Sequence, residues 1–161
     1  MTTVEAVSAN GTGCPGATPT ADLVGDTVEV TIPGFTVKRG TGATPTEFRK
    51  NCQFSLRVTD PRRFALAGVD TEGTLDIHSG TTAKLTIKYY FQGAASTSLI
   101  HSFTGPETGG WADSSDAAAL VYGDGTKLLN VNTELLLTGT GTAVDTFSLA
   151  APVIVRLAWE A

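Results

Sequence analysis

The residue types that carry most nucleophilic chemistry are scarce in this chain. It contains two histidines, His78 and His101, and two cysteines, Cys14 and Cys52. A catalytic nucleophile needs a base beside it and a third group that orients the base, and neither histidine has such neighbours in the sequence. No Gly-x-Ser-x-Gly or His-Glu-x-x-His motif is present. We therefore predict that the protein is not an enzyme and has no catalytic residues.

Acidic residues near predicted turns are the next candidates for chemistry. Two carboxylates across a cleft would suit a hydrolase. Oxygen ligands on loops would suit calcium, for which Asp113, Asp116 and Asp124 are the candidates. Their spacing does not follow that of an EF-hand loop, and carboxylates at turns are commonly just solvated. We therefore predict no cofactor, with calcium as the alternative.

Aromatic residues outside the apolar pattern are candidates for stacking on a sugar ring. Tyr90 lies on the polar side of its predicted strand, and Trp111 and Tyr122 lie in turn-rich segments. Together they would form a stacking platform for a carbohydrate. The alternative is a single exposed tyrosine and a tryptophan packed under a loop.

Apolar residues that repeat with a period of two predict the strands that must position these side chains. Residues 52–58 and 83–91 alternate in the way that is typical of half-buried antiparallel strands. A shift of the alternation by one residue at Gly68 predicts a β-bulge. Residues 128–137 suit a strand buried on both faces, and only residues 114–120 suit a helix, of one or two turns.

The fold that follows from these elements is all-β. Turns rich in Gly, Pro, Asp and Thr separate the predicted strands. We predict an antiparallel β-sandwich, or a flattened barrel, of about nine to ten strands with at most one short helix. Neither a linker nor a repeat divides the chain, so we expect residues 1–161 to form a single domain.

Composition and charge exclude two classes of partner. The chain has 161 residues and a formal net charge of −5. This charge has the wrong sign for a surface that neutralises phosphates, so we predict no nucleic-acid partner. The sequence has no run of the roughly 18 apolar residues that span a bilayer, so we predict no membrane insertion.

The two cysteines lie in unlike contexts. Cys14 lies in a loop rich in Gly and Pro, and Cys52 begins a predicted strand. They form either one disulfide or two buried free thiols. A disulfide would indicate an oxidising compartment. Since no signal peptide is visible, the chain would then be the mature part of a secreted protein behind an added initiator methionine.

Six short motifs occur in an order that is similar to a known family. They are GTGCP at 11–15, RKNC at 49–52, YYFQG at 89–93, FTGP at 103–106, LNVNT at 129–133 and LAW at 157–159. Over nearly its whole length the chain resembles a family of small secreted proteins of filamentous fungi and actinobacteria whose domain has unknown function. The resemblance implies secretion and a disulfide between Cys14 and Cys52. A second cysteine pair, found in many members, is missing here.

These observations favour an extracellular binding or interaction module at a cell surface or matrix, with carbohydrate as a candidate ligand. The alternative is a self-assembling structural or filament subunit, and hence a homo-oligomer. That alternative rests on a threonine-rich, weakly charged surface, which lacks the lysines and glutamates that block the pairing of strand edges. A hydrolase acting on wall polysaccharide is the third hypothesis.

Overall fold

Alternating apolar residues give each strand one side that avoids water, and the strands bury that side by forming two sheets that face each other. The computed structural model describes residues 2–16, 18–44 and 46–160. These ranges contain eleven strands, each antiparallel to its neighbours. In chain order they are β1 (Thr3–Asn10), β2 (Thr20–Val24), β3 (Thr27–Thr31), β4 (Phe35–Arg39), β5 (Arg49–Thr59), β6 (Phe64–Ile77), β7 (Thr81–Phe91), β8 (Thr97–Thr104), β9 (Glu107–Asp116), β10 (Leu129–Gly139) and β11 (Asp145–Trp159).

The strands divide into a five-stranded and a six-stranded sheet. Sheet A has the order β1-β5-β10-β7-β8, and sheet B has the order β2-β3-β11-β6-β9 with β4 also paired to β11. The core between them contains fully buried side chains from both sheets, such as Phe54 and Leu135 of sheet A and Phe64 and Phe147 of sheet B. The predicted β-sandwich is confirmed, and the two sheets stay separate rather than closing into a barrel.

The predicted short helix at residues 114–120 is wrong. The end of β9 occupies the start of this segment, where Asp116 pairs with Gly68 of β6, and the Ala117 N–H donates to the Ala67 carbonyl at 2.8 Å. Bonds to β6 outweigh the helical preference of three alanines, since so short a helix bears the full cost of nucleation. The described ranges contain eleven strands, against nine to ten expected, and no helix that could cross a membrane.

The predicted bulge near Gly68 is confirmed. Arg156 of β11 pairs with Gly68 and Leu157 pairs with Leu66, which leaves Ala67 as the extra residue on β6. The Arg156 guanidinium lies directly over Gly68, where a Cβ atom would collide with it. The Ser115 carbonyl of β9 would lie 2.6 Å from the same Cβ atom. Because a paired backbone cannot move aside as a side chain can, the position favours glycine.

Strand β10 lies at the centre of sheet A, but it is buried on both faces only where it begins. Leu129, Asn130 and Val131 are all buried, whereas from Asn132 onward half-buried residues alternate with buried ones. The prediction of burial on both faces is wrong for this second part. The outer face of sheet A meets solvent there, so polar side chains of β10 are accessible.

A disulfide joins the loop after β1 to strand β5. Cys14 and Cys52 are bonded, with their Cα atoms 5.5 Å apart and both side chains fully buried. The Gly13 N–H also donates to the Asn51 carbonyl at 2.8 Å. The pairing implied by the family resemblance is confirmed, and the free-thiol alternative is wrong.

Reducing this disulfide should lower the free energy of unfolding by about 4 kcal/mol, because the bond restricts the unfolded chain between cysteines separated by 38 positions. Urea unfolding with and without dithiothreitol measures the change. The control is the Cys14→Ser/Cys52→Ser double variant, whose midpoint should not respond to reductant. Equal midpoints for oxidised and reduced wild-type protein would contradict the prediction.

Candidate ligand-binding site

An exposed phenylalanine ring stands at the end of sheet A where β5 begins. Phe48 keeps 42% of its surface exposed. Its carbonyl accepts a hydrogen bond from the Leu137 N–H at 2.9 Å, which continues the pairing of β5 with β10 by one residue. Just before it, the Lys38 N–H donates to the Glu47 carbonyl at 2.8 Å. These bonds hold the backbone on both sides of the exposed ring.

The Phe48 ring lies between two clefts. One has a volume of about 590 Å³ and the other of about 400 Å³, and Phe48 lines both. We call the larger one the Phe48 cleft. An apolar ring beside a few convergent polar groups is the composition expected of a ligand site. The other residues that line the Phe48 cleft are Thr12, Thr46, Arg49, Lys50, Asn51, Asn132 and Glu134.

Hydrogen bonds among its own side chains fix the polar wall of the Phe48 cleft. The Asn51 Nδ2 donates to Asn132 Oδ1 at 2.8 Å. The Arg49 Nε and Nη2 donate to Glu134 Oε2 at 3.1 and 3.0 Å. Asn51 and Glu134 are directly opposite on β5 and β10, which brings their side chains to one face of the sheet. These bonds do not use the Asn132 Nδ2 donor or the Glu134 Oε1 acceptor, and a ligand could bond to both.

The disulfide positions a further polar group at the cleft. It holds the loop after β1 against β5, where the Asn51 N–H donates to the Thr12 Oγ1 at 3.2 Å. The same hydroxyl lies 3.4 Å from the Asn51 Oδ1. The covalent bond at Cys14 therefore keeps a hydroxyl beside an amide on the wall of the cleft.

Beyond the cleft, the outer side of sheet A has two buried polar side chains and a half-buried tyrosine. Asn130 lies two residues from Asn132 on β10, and its Oδ1 accepts a hydrogen bond from Ser55 Oγ at 2.6 Å. Asn130 is also directly opposite Tyr90 of β7. Tyr90 is half-buried and lies on the polar side of its strand, as predicted. Because Asn130 and Ser55 are buried and bonded to each other, Tyr90 alone of these three residues extends the accessible surface beyond the cleft.

The predicted stacking platform of Tyr90, Trp111 and Tyr122 does not form, because Trp111 is only 6% exposed. Its ring packs against Phe103 and Phe147, with centroids 5.6 and 5.3 Å apart. Its indole N–H donates to two backbone carbonyls at 2.9 and 3.2 Å. The prediction for Trp111 is wrong because β9 turns this side chain toward the core. Tyr122 lies in the loop between β9 and β10.

Phe48 is absent from the predicted site residues. It lies outside the alternating pattern that identified the strands, in a segment rich in Gly, Thr and Pro. The available signal was an aromatic residue in such a segment, directly before the basic pair Arg49 and Lys50. Because loops run over the protein surface, an aromatic side chain in a loop is a candidate for exposure to solvent.

The three calcium candidates lie with three different partners. Asp113 is 3.0 Å from the Nδ1 of His101, and Asp116 accepts a bond from Arg156 at 2.6 Å. Asp124 accepts from a backbone N–H of its own turn at 2.9 Å. In the part of the chain that the structure describes, no group of three acidic, histidine or cysteine side chains is placed to hold a metal ion. The structure does not bring these carboxylates together.

A buried carboxylate links the two sheets where β11 begins. Asp145 of sheet B is fully buried and accepts hydrogen bonds from Arg39 at 2.6 Å and from Thr81 of sheet A at 2.7 Å. The backbone N–H and the Nδ1 of His78 both lie 2.8 Å from its Oδ1. Burial alone raises the pKa of the Asp145 carboxyl, but the bonds from Thr81, His78 and Arg39 together lower this pKa to about 2. Asp145 is therefore charged at neutral pH.

Fold and cleft together define the class of protein as a disulfide-linked antiparallel β-sandwich with an exposed aromatic ring in a polar cleft. The chain belongs to the family described as "Domain of unknown function (DUF4360)", whose model matches residues 1–161. This confirms the predicted membership of a family of unknown function. The predicted occurrence in fungi and actinobacteria stays a prediction.

Two solved structures are similar to the chain, whereas no curated protein matches it. One is TmCBM61 in complex with beta-1,4-galactotriose, with 13% identity, a TM-score of 0.40, and coverage of 99% of this chain and 88% of that one. The other is the enzymatically active domain of the bacteriophage CBA120 tailspike protein 4, with 12% identity and a TM-score of 0.31. The match covers 99% of this chain but 19% of the tailspike domain.

The low pKa of Asp145 should make the protein sensitive to acid. Because the pKa in the folded state lies below its unfolded value of 3.8, the charged carboxylate stabilises the fold above about pH 4. This stabilisation, about 2 kcal/mol, is lost as the pH falls through about 2.

Urea unfolding of wild type and Asp145→Asn at pH 6 and pH 2 tests this expectation. Between pH 6 and pH 2, the free energy of unfolding should fall by about 2 kcal/mol more for the wild-type protein than for the variant. Asp22→Asn, at an exposed carboxylate of β2, is the control and should behave like wild type. If the free energy of unfolding falls equally with pH for wild type and Asp145→Asn, Asp145 is not responsible for the loss of stability in acid.

Proposed function

We propose that the protein is a non-catalytic extracellular module that binds carbohydrate at the Phe48 cleft. The observation that carries this proposal is the exposed ring of Phe48 beside the hydrogen-bonded amide of Asn51 and carboxylate of Glu134. This combination matches the two surfaces of a sugar unit, which has an apolar C–H face and a rim of hydroxyl groups.

The fixed geometry of the polar wall supports binding. Asn51 and Asn132 are joined by a 2.8 Å hydrogen bond, and Arg49 and Glu134 by two bonds of about 3 Å. Side chains that are already held in place lose little conformational entropy when a ligand arrives. Hydroxyl groups of a sugar could then exchange water for the Asn132 Nδ2 and the Glu134 Oε1 at a small entropic cost.

The arrangement of ionisable groups supports a role without catalysis. A glycoside hydrolase needs two carboxyl groups facing the bond that it cleaves, whereas Glu134 is the single carboxylate that lines the Phe48 cleft within the described residues, and it is paired with Arg49. Both histidines are engaged with aspartates outside this cleft, His78 with Asp145 and His101 with Asp113.

The disulfide supports an extracellular location. Disulfides persist in oxidising compartments and are rare in the reducing cytosol. The bond between Cys14 and Cys52 is fully buried and holds the loop that lines the cleft. An oxidising environment would therefore preserve both the fold and the proposed binding surface.

Replacing Phe48 should weaken carbohydrate binding, because the Phe48→Ala variant loses the stacking surface. A loss of about 1 kcal/mol corresponds to about a fivefold higher Kd. Retention on insoluble chitin and β-glucan, and affinity electrophoresis in galactan, provide the measurements. Asn132→Ala should weaken binding as well, since it removes the Nδ2 donor.

The matched control is Tyr122→Ala, which removes an aromatic ring from a loop outside the Phe48 cleft. It should bind like wild type. Thermal unfolding of each variant shows whether a loss of binding reflects a loss of folding. Wild-type binding by Phe48→Ala would argue against the proposal. So would a wild-type protein that binds neither these three neutral polymers nor any charged polysaccharide.

A self-assembling subunit is the second candidate, because one edge of sheet A is unprotected. Strand β8 lies at this edge and pairs with β7 alone among the described strands. Its eight residues include no Lys, Arg, Asp, Glu or Pro, which are the residues that usually prevent edges from pairing. Ile100 in the middle of β8 is 59% exposed.

Pairing of two β8 strands would make the protein dimeric or larger at high concentration. Size-exclusion chromatography with light scattering should then show a mass that rises with concentration, and Ile100→Lys should return it to that of a monomer. The matched control is Val144→Lys, at another exposed apolar residue that lies outside β8. A monomer at every concentration would exclude this second candidate.

A further inference from the structure

We propose that the carbohydrate bound at the Phe48 cleft is an anionic polysaccharide, held in part by Lys84 and Lys88 beside the cleft. This inference rests on the function proposed above and specifies its ligand class. It follows from the position of the two lysines, from the absence of ion pairs between them and other described residues, and from the opposite charge of the other face of the sandwich.

The two lysines lie on β7, on the same outer face of sheet A as the polar wall of the cleft. Lys88 is directly opposite Asn132 of β10, and Lys84 is directly opposite Leu136, whose other neighbour is Arg49 of β5. Side chains directly opposite each other have Cβ atoms about 5 Å apart. A lysine side chain is long enough to reach a ligand that contacts Asn132, so Lys84 and Lys88 extend the cleft across the sheet.

Neither Lys84 nor Lys88 forms an ion pair with another described residue, since neither has a carboxylate oxygen of those residues within 4.0 Å. Glu134, the carboxylate of the cleft, is engaged with Arg49 at 3.0 Å. Lys50 also lines the cleft. The surface around the ring therefore carries free positive charge, although the chain as a whole has a net charge of −5.

The outer face of sheet B has the opposite character. Asp22 and Glu29 are directly opposite each other on β2 and β3, and neither has an ion-pair partner among the described residues. Asp70 lies in the same row beyond Ile154 of β11, but it is paired with Arg156 at 3.2 Å. Glu72 is exposed on the same face. Like charges in one row repel each other and would also repel an anionic polymer. The electrostatic potential of the protein therefore favours binding of an anionic polymer at sheet A over binding at sheet B.

The chemistry of the cleft favours a sugar polymer over nucleic acid. Binding of single strands depends on several rings that stack successive bases along a basic groove, whereas Phe48 is the single aromatic residue lining the described cleft. The amides of Asn51 and Asn132 suit hydroxyl groups and carboxylates. Carboxylated and sulfated polysaccharides share this chemistry, and the experiment distinguishes them.

The test compares polysaccharides of the same backbone that either carry or lack charged groups. Affinity electrophoresis and isothermal titration with wild-type protein use polygalacturonate and its fully methyl-esterified form, and carrageenan and its desulfated form. We expect the charged polymer of at least one pair to bind roughly five- to tenfold more tightly than its neutral counterpart. This preference should shrink between about 50 and about 500 mM salt, since ions screen exposed charges.

Two double variants show which surface of the protein causes the preference for charged polymers. Lys84→Gln/Lys88→Gln should abolish most of the preference for the charged polymer, because it weakens binding of the charged polymer far more than binding of the neutral one. The matched control is Arg63→Gln/Lys127→Gln, which removes the same charge from two exposed loop positions outside both clefts. The control should keep the preference. Equal losses in both double variants would overturn the inference, because total charge rather than the surface of sheet A would then be responsible.

The other outcomes are also decisive. If wild-type protein binds charged and neutral polymers equally and Phe48→Ala weakens both, the ligand class inferred here is wrong while the proposed carbohydrate-binding function stands. If no polymer of either kind binds, both the function and its ligand class are wrong. Tighter binding of single-stranded DNA than of every polysaccharide would identify a different class of partner and overturn the inference.

Discussion

The pairing of β5 with β10 at the middle of sheet A is the interaction on which both the core and the proposed site depend. On the inner side of this ladder, Phe54 and Leu135 are buried between the sheets. On the outer side, the same register places Asn51 opposite Glu134. A slip of one residue would exchange these two sides. The burial of apolar side chains therefore fixes the positions of polar groups that contribute nothing to the core.

Much of the fold could be predicted from the sequence because strands carry their own periodicity. The shift of the alternation at Gly68 predicts the bulge that the structure shows. The residues alone leave the state of Cys14 and Cys52 open, and the family resemblance implies the disulfide that the structure shows. The proposed site could not be predicted in the same way. Phe48 lies in a loop, where no alternation of apolar and polar residues indicates which side chains are buried. Trp111 follows two glycines, so the sequence around it has no apolar alternation that would predict the burial of its side chain in the core.

The two outer faces of the sandwich differ although their strands alternate in the chain. Lys84 and Lys88 of β7 follow closely on Glu72 and Asp76 of β6, yet the turn between these strands carries the chain from one sheet to the other. Neighbouring segments of opposite charge thus end on opposite sides of the molecule. A net charge of −5 describes neither side, and for this reason composition alone does not reveal which partners each face would attract.

The position of Phe48 between two open clefts has a consequence for polymer geometry. In the function proposed above, a sugar unit stacked on the ring would have neighbours on both sides, and each neighbour would enter one of the two clefts that Phe48 lines. A site of this kind would recognise an internal stretch of a polysaccharide and not its terminus. Both ends of a bound polysaccharide would stay free, so several copies of the protein could bind along one polysaccharide chain. The width of the β-sandwich would set the spacing between neighbouring copies.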